Sequence, residues 1–255
     1  MARKSVTTDE LQYIAAGYYH LRTGDFNFNA TNPPLMKMIA AVPLLYLAPE
    51  LPEVRSDPRA WSLPEQWKYA RRFLYHNQVD ADRMLLAARL PIVAVSLLLG
   101  IFVFRWGAAL FGALGGCTAL FFYALSPNIL AHARLATHDL GLTAWMFIAC
   151  YYFWRFMDRP SVVSLLLCGL FAGLALLTKT TAVFLAPIFG LYVLICMLRA
   201  EGKGIFERFP WVRRLDPKLR ARRQLLSAGW ACCAIAFIVL LVLNAGYGFQ
   251  GTLRA

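Results

Sequence analysis

The sequence predicts an all-α fold: a polytopic transmembrane helix bundle preceded by an external loop that bears short interfacial helices. Three observations predict it. The chain is 59% hydrophobic and only 16% charged, where soluble domains are about a quarter charged. Its polar residues are segregated in long blocks. From residue 84 onward come six apolar stretches of about 17 to 25 residues, the length that crosses a bilayer core as a helix. Two regions result: residues 1–83, an external first loop with interfacial helices and an acidic motif, and residues 84–255, a bundle of about six spans.

The first region is organised by Thr7 to Pro43. It opens on the adjacent acids Asp9 and Glu10 and closes on Asn32-Pro33-Pro34-Leu35 and Lys37. Thr7-x-x-Glu10 fits a capping box, and Asp9 falls in the first helical turn, where an acid suits the helix dipole. Leu11, Ile14, Ala15 and Tyr18 then form an apolar face at helical spacing. The acids therefore have a local structural role open to them as well as a catalytic one. Leu35 to Ala48 is apolar but, at about 1.5 Å per residue, reaches only about 21 Å, short of a core of about 30 Å. It reads as an interfacial or re-entrant helix started by Pro33 and Pro34 and stopped by Pro49 and Pro52. Within the mixed loop 49–83, Glu65 to Tyr75 reads as a short helix whose Trp67, Tyr69 and Tyr75 suit a membrane interface.

The expected spans are 84–106, 107–125, 140–157, 162–178, 181–198 and 225–247. The loop 199–224 between the last two carries nine basic residues against three acidic ones, a cytoplasmic signature. Counting back through alternate spans puts residues 1–83, the 126–139 loop and Lys179 on the non-cytoplasmic side, together with all four histidines, His20, His76, His132 and His138. Arg134 and Lys179 are basic residues on the less expected side. The net charge of +12 is thereby assigned to orientation and anionic lipid, and not to a nucleic-acid partner. The six cysteines all fall in apolar spans without metal-ligand spacing and read as small buried hydrophobes. An external segment of about eighty residues with no preceding span or signal sequence, and a stop just after a span, lead to the expectation of an internal piece of a longer protein.

Three further places carry ionisable groups beside apolar spans. Ser126-Pro127 leads into a loop with His132, Arg134, His138 and Asp139. There Thr137 can N-cap the helix that begins near His138, with Asp139 in its first turn. Several ionisable groups at a membrane boundary are costly unless paired or wet, which favours a functional reading. Lys179 interrupts two apolar runs and either marks the turn and snorkels or contacts phosphate. Arg89, about one turn into the first span and followed by Pro91, either snorkels or binds an anion.

The order of these elements is what carries a resemblance: an acidic pair, Asn-Pro-Pro-Leu-x-Lys, an Arg near a span start, Ser-Pro…Arg…Thr-x-Asp, and Gly-Leu-Ala-x-Leu-Thr-Lys. It resembles glycosyltransferase family 39, the protein O-mannosyltransferase-like enzymes, and the related lipid A aminoarabinose transferases, all of the GT-C fold. The resemblance covers most of residues 7–182, with a looser fit at Asn244-x-x-Tyr247-x-Phe249-x-Gly251. It implies transfer of a sugar from a polyprenyl- or dolichyl-phosphate carrier to a protein or lipid/glycan acceptor, with inversion. The site would face the periplasm or lumen of a bacterial inner membrane or endoplasmic reticulum. It maps the catalytic base onto Asp9, with Glu10 beside it, and a second acid onto Asp139; Lys37 matches the family's lysine less securely. Asn32 stands where mannosyltransferases often show His, which leaves the acceptor class open.

The residue types suit that chemistry. An acceptor hydroxyl loses its proton as it attacks the anomeric carbon, so a carboxylate is needed within hydrogen-bond reach. The leaving lipid phosphate gathers negative charge, for which Lys37, Arg89, Arg134 and Lys179 are the candidates, with His138 beside them. Carboxylates can also stabilise oxocarbenium character. No metal or other cofactor is implied. The rival reading is a secondary transporter or flippase-like permease, which would place its ionisable groups near the midplane on broken helices, in paired repeats. A non-catalytic scaffold subunit, in which every motif is a cap or an anchor, is a second rival. Asn29-Ala30-Thr31 is a formal N-glycosylation sequon.

Overall fold

The computed structural model describes residues 6–53, 61–199 and 217–250. Every regular element among them is helical. Four helices form the N-terminal region: α1 (Thr8–Thr23), α2 (Leu35–Ala41), α3 (Leu44–Leu47) and α4 (Leu63–Tyr75). The bundle follows as α5 (Ala81–Leu125), α6 (Pro127–His132), α7 (His138–Asp158), α8 (Val162–Leu176), a 3₁₀ turn (Thr180–Phe184), α9 (Leu185–Arg199) and α10 (Pro217–Gly246). Two stretches, Ala81–Leu125 and Gly229–Gly246, are long and apolar enough to cross a membrane.

α1 starts where its cap demands. Thr7 is the N-cap in extended backbone, its side chain accepts from the Glu10 N–H, and the Glu10 carboxylate accepts from the Thr7 N–H. Gly24 ends it in the left-handed region, the conformation a glycine tolerates. The helix is more deeply set than one apolar stripe implies. Ala16, Gly17, Tyr19 and His20 are buried along with Leu11, Ile14, Ala15 and Tyr18, because α2 and α4 pack on it and His20 finds a buried partner in the Phe28 carbonyl, 2.9 Å away. The α1–α2 crossing is close at Gly17, where an added Cβ would overlap the Lys37 carbonyl.

The apolar run 35–48 is not one helix. It divides at Val42–Pro43 into α2 and α3. Pro43 has no N–H to give, and its ring clashes with the carbonyl four residues back. Ala48, in the left-handed region, closes α3 ahead of Pro49. The expected helix at 65–75 starts two residues earlier, at a second capping box formed by Ser62 and Glu65.

The first two expected spans are arms of one helical hairpin, and the reversal comes at Gly112 and not at 106–107. Gly112 has φ 75° and ψ −179°, open to glycine and strained for other residues. The arms 81–111 and 113–125 then run antiparallel. Tyr123 donates to the Ser96 carbonyl at 2.7 Å, and Gly116 lies against the Phe104 backbone, where a Cβ would come within 2.8 Å of the carbonyl oxygen. The second arm is shorter than its expected span for this reason. α7 runs over the whole stretch 140–157. α8 and α9 are 15 residues each, about 22 Å long, and the 3₁₀ turn takes up the start of the fifth expected span. α8 packs on α10 through small residues: Gly169 lies against Ile238 and Gly173 against Val242, the close approach small residues allow in membrane helices. The basic loop 199–224 falls mainly outside the described residues.

Candidate active site

Five segments meet at one end of the bundle: the start of α1, the loop 29–35, the start of α5, the residues leading into α7, and the end of α8. Glu10 is the joint between three of them. Its carboxylate is fully buried and takes a two-pronged contact from Arg89, with Nε to Oε1 and Nη2 to Oε2 both 2.8 Å. It also accepts from the Ala136 N–H at 3.0 Å and the Thr7 N–H at 3.1 Å. Burial alone would raise its pKa. The Arg89 guanidinium and the two backbone N–H groups outweigh that and hold the carboxyl below its usual range. Both oxygens of the carboxylate are thus taken up by protein donors, which join α1 to α5 and to the residues before α7. Arg89 is correspondingly 2% exposed, with its guanidinium on Glu10 in the interior.

Asp9, the other half of the acidic pair, is exposed, and no hydrogen bond or ion pair to a described residue holds its carboxylate. One turn further along α1 lies Tyr13, half-buried. Its phenol accepts from Asn32 Nδ2 at 3.4 Å, and its ring meets the His138 ring edge-on at 4.1 Å between centroids. Burial, and then the negative charges of Asp9 and Asp139, push the phenol pKa up. Asp9 and Asp139 are themselves both exposed.

Asp139 sits in the first turn of α7 and receives Lys179 Nζ at 3.1 Å, with both side chains partly in solvent. Thr137 occupies the N-cap, but its side chain makes no capping bond and its hydroxyl has no partner among the described residues. His138 is buried, its ring beside the Pro33 backbone and its Nε2 without a partner among the described residues.

Lys37, on α2, is 1% exposed. Its Nζ donates to the Asn29 and Asn32 carbonyls, the latter at 2.7 Å, and lies 5.8 Å from the centroid of the Tyr13 ring. Burial lowers its pKa to about 7. Arg134 is exposed; its Nε donates to the Leu130 carbonyl at 3.2 Å. Of the residues expected to meet substrate, the structure sets His138 against the Tyr13 ring, Asp9 one turn before Tyr13 on α1, and Lys179 on Asp139, next to His138. It buries Glu10, Arg89 and Lys37 behind them and leaves Arg134 on the loop beside α6.

The sequence reading passed over Tyr13, Gln12 and Gln66. The last two hold the Asn29 side chain, at 3.0 and 3.5 Å. Tyr13 had a legible signal, since a residue four after Asp9 on a helix shares its face. Gln66 had none, because its partner is 37 residues away in the chain.

Against known proteins, the family model described as dolichyl-phosphate-mannose-protein mannosyltransferase matches residues 81–211, just over half of the 255-residue chain. No curated protein and no solved structure matches it. The matched stretch takes in Arg89, Arg134, His138, Asp139 and Lys179 and starts after Asp9, Glu10 and Lys37, whose place rests on the geometry above. The chain belongs to the dolichyl-phosphate-mannose-protein mannosyltransferase family of membrane glycosyltransferases.

Proposed function

We propose that the protein is a multi-pass, inverting glycosyltransferase that moves a sugar from a polyprenyl- or dolichyl-phosphate carrier to a hydroxyl acceptor on a protein, lipid or glycan. Its site lies on the non-cytoplasmic face of the membrane. The observation that carries the reading is the division of labour within the acidic pair. Glu10 is sealed into Arg89, Ala136 and Thr7, and this fixes the first turn of α1 so that the neighbouring Asp9 carboxylate stands exposed, engaged by none of the described residues.

In this reading Asp9 accepts the proton of the acceptor hydroxyl as its oxygen bonds to the anomeric carbon. The bond from that carbon to the carrier phosphate breaks on the opposite face, and the electron pair leaves with the phosphate. Lys179 is the cation at the site with access to that phosphate, and the start of α7 adds the positive end of a helix dipole. Asp139 holds Lys179 in place before the carrier arrives. The apolar carrier chain would lie along the exposed Leu and Phe side chains of the bundle.

The test is sugar transfer from radiolabelled polyprenyl-phosphate sugars in membranes holding wild type, Asp9→Asn or Asp139→Asn at equal expression. Loss of transfer in Asp9→Asn with carrier binding kept supports the base. Asp9→Asn equal to wild type, or a wild type that transfers from no carrier, overturns the reading and moves the work to transport assays.

A further inference from the structure

Three of the expected site contacts converge on one short loop. The loop 29–35 reaches α1 through Asn32 Nδ2, which donates to the Tyr13 hydroxyl. It reaches α7 at Pro33, whose backbone lies beside the His138 ring, next to Asp139. It reaches the end of α8 through the Leu35 N–H, which donates to the Leu177 carbonyl at 3.2 Å, two residues before Lys179. The three groups at the exposed face, Asp9, Asp139 and Lys179, thus come from helices that share this loop as a common brace.

What shapes the brace is Lys37. Its ammonium draws together the Asn29 and Asn32 carbonyls beneath the Tyr13 ring. Asn29 sits in the left-handed region at φ 52°, which asparagine enters more readily than most non-glycine residues. Lys37 makes no ion pair with a described carboxylate, and its own backbone is seated on Gly17 of α1. A lysine placed to bind the carrier's phosphate would keep Nζ open to solvent, and this one is 1% exposed with carbonyl acceptors already in hand.

We propose that Lys37 is a positioning residue, which clamps the loop 29–35 and through it sets Asp9, Asp139 and Lys179 in register, and that it does not contact the carrier phosphate. The proposal rests on the glycosyl-transfer reading for its kinetic consequence but not for its structural one. Misplacing reacting groups by about 1 Å costs on the order of a hundredfold in rate, whereas losing a phosphate contact weakens donor binding.

The experiment uses Lys37→Met, which keeps the volume and removes the donors, and Asn32→Ala, which leaves the clamp and cuts its link to Tyr13. Both are made in the whole protein in detergent micelles. The expected result for each is a kcat lowered about a hundredfold with the KM for polyprenyl-phosphate sugar within about twofold of wild type. In Lys37→Met, hydrogen exchange at the amides of 29–32 and 35 should also quicken. A raised donor KM with kcat kept would make Lys37 a phosphate ligand and overturn the proposal. Unchanged exchange in the loop would overturn it too, and that arm decides even where the wild type transfers no sugar, an outcome that defeats the functional reading alone. Wild-type kinetics in Asn32→Ala would show that the loop does not set the site, and would likewise overturn it.

Discussion

Glu10 and Arg89 meet end to end, two N–H groups of one guanidinium on two oxygens of one carboxylate, both at 2.8 Å and both out of solvent. A buried pair of this kind contributes little beyond what apolar side chains would, but removing one partner strands the other. We expect Glu10→Gln to lower stability by about 3–5 kcal/mol, read as a large drop in melting temperature in detergent. The double variant Glu10→Leu/Arg89→Met should recover a good part of that. Because the Glu10 pKa is lowered in the folded protein, its contribution is present above the ordinary carboxylate range and is lost as pH falls through the folded value. Glu10→Gln should therefore narrow its gap to wild type in acid.

Asp9 should behave in the opposite way. It is exposed and engages no described partner, so Asp9→Asn should shift stability by no more than about 1 kcal/mol, the size of its favourable place at the helix start. As the proposed base, its loss should lower kcat by about 10²–10⁴. Measuring both quantities on the same preparation separates the two acids: one variant unfolds the site, the other silences it.

The capping box of Thr7 and Glu10 was legible because it is local. Four residues of sequence contain donor, acceptor and spacing. That Glu10 also reaches Arg89 and Ala136 was not legible, since these partners lie 79 and 126 residues away and only the packing of α1 against α5 brings them in. A buried ion pair and a catalytic pair look alike in sequence, and nothing local to Arg89 or Lys37 told that both side chains are internal. The break at Pro43 could have been read from the missing N–H. The reversal at Gly112 could not be placed by hydropathy, because Phe111-Gly112-Ala113-Leu114-Gly115 is as apolar as the arms it joins; the signal there is backbone freedom at glycine. The order of motifs, by contrast, was enough to name the family that the match over residues 81–211 shows.

The Asn29-Ala30-Thr31 sequon should stay unmodified. The Asn29 side chain is 2% exposed and its amide donates to Gln12 and Gln66, so the folded chain does not present it to a transferase. Expression in a host that N-glycosylates, followed by intact-mass measurement, should show no glycan at Asn29.

Lys179 and Asp139 form the accessible ion pair of the site. As an exposed pair it should contribute about 0–1 kcal/mol to stability, so neither Lys179→Met nor Asp139→Asn should unfold the protein. Their kinetic effects should differ. Without the Lys179 charge, the donor KM should rise about tenfold or more, the cost of a hydrogen bond to a charged group. Asp139→Asn should leave that charge in place but less fixed, and cost less. Steady-state kinetics over a range of donor concentrations resolves the two, and equal effects would mean that Asp139 has a role of its own in the chemistry.

Lys37 makes the pH dependence of folding testable with a definite sign. In the unfolded chain a lysine keeps its proton to about pH 10.4. In the fold, burial lowers that limit to about 7. Between these values the unfolded state binds more protons than the folded one, so stability rises with pH across this window. Below about pH 7 the fold carries the full cost of a buried ammonium. Lys37→Met has no such group, so the difference in melting temperature between wild type and variant should move in favour of wild type as pH goes from 7 to 10. The clamp itself should persist over the same range, since a neutral amine still donates to the Asn29 and Asn32 carbonyls. A difference that is flat in pH would mean that the ammonium is not desolvated, and that solvent or an anion reaches Lys37 after all.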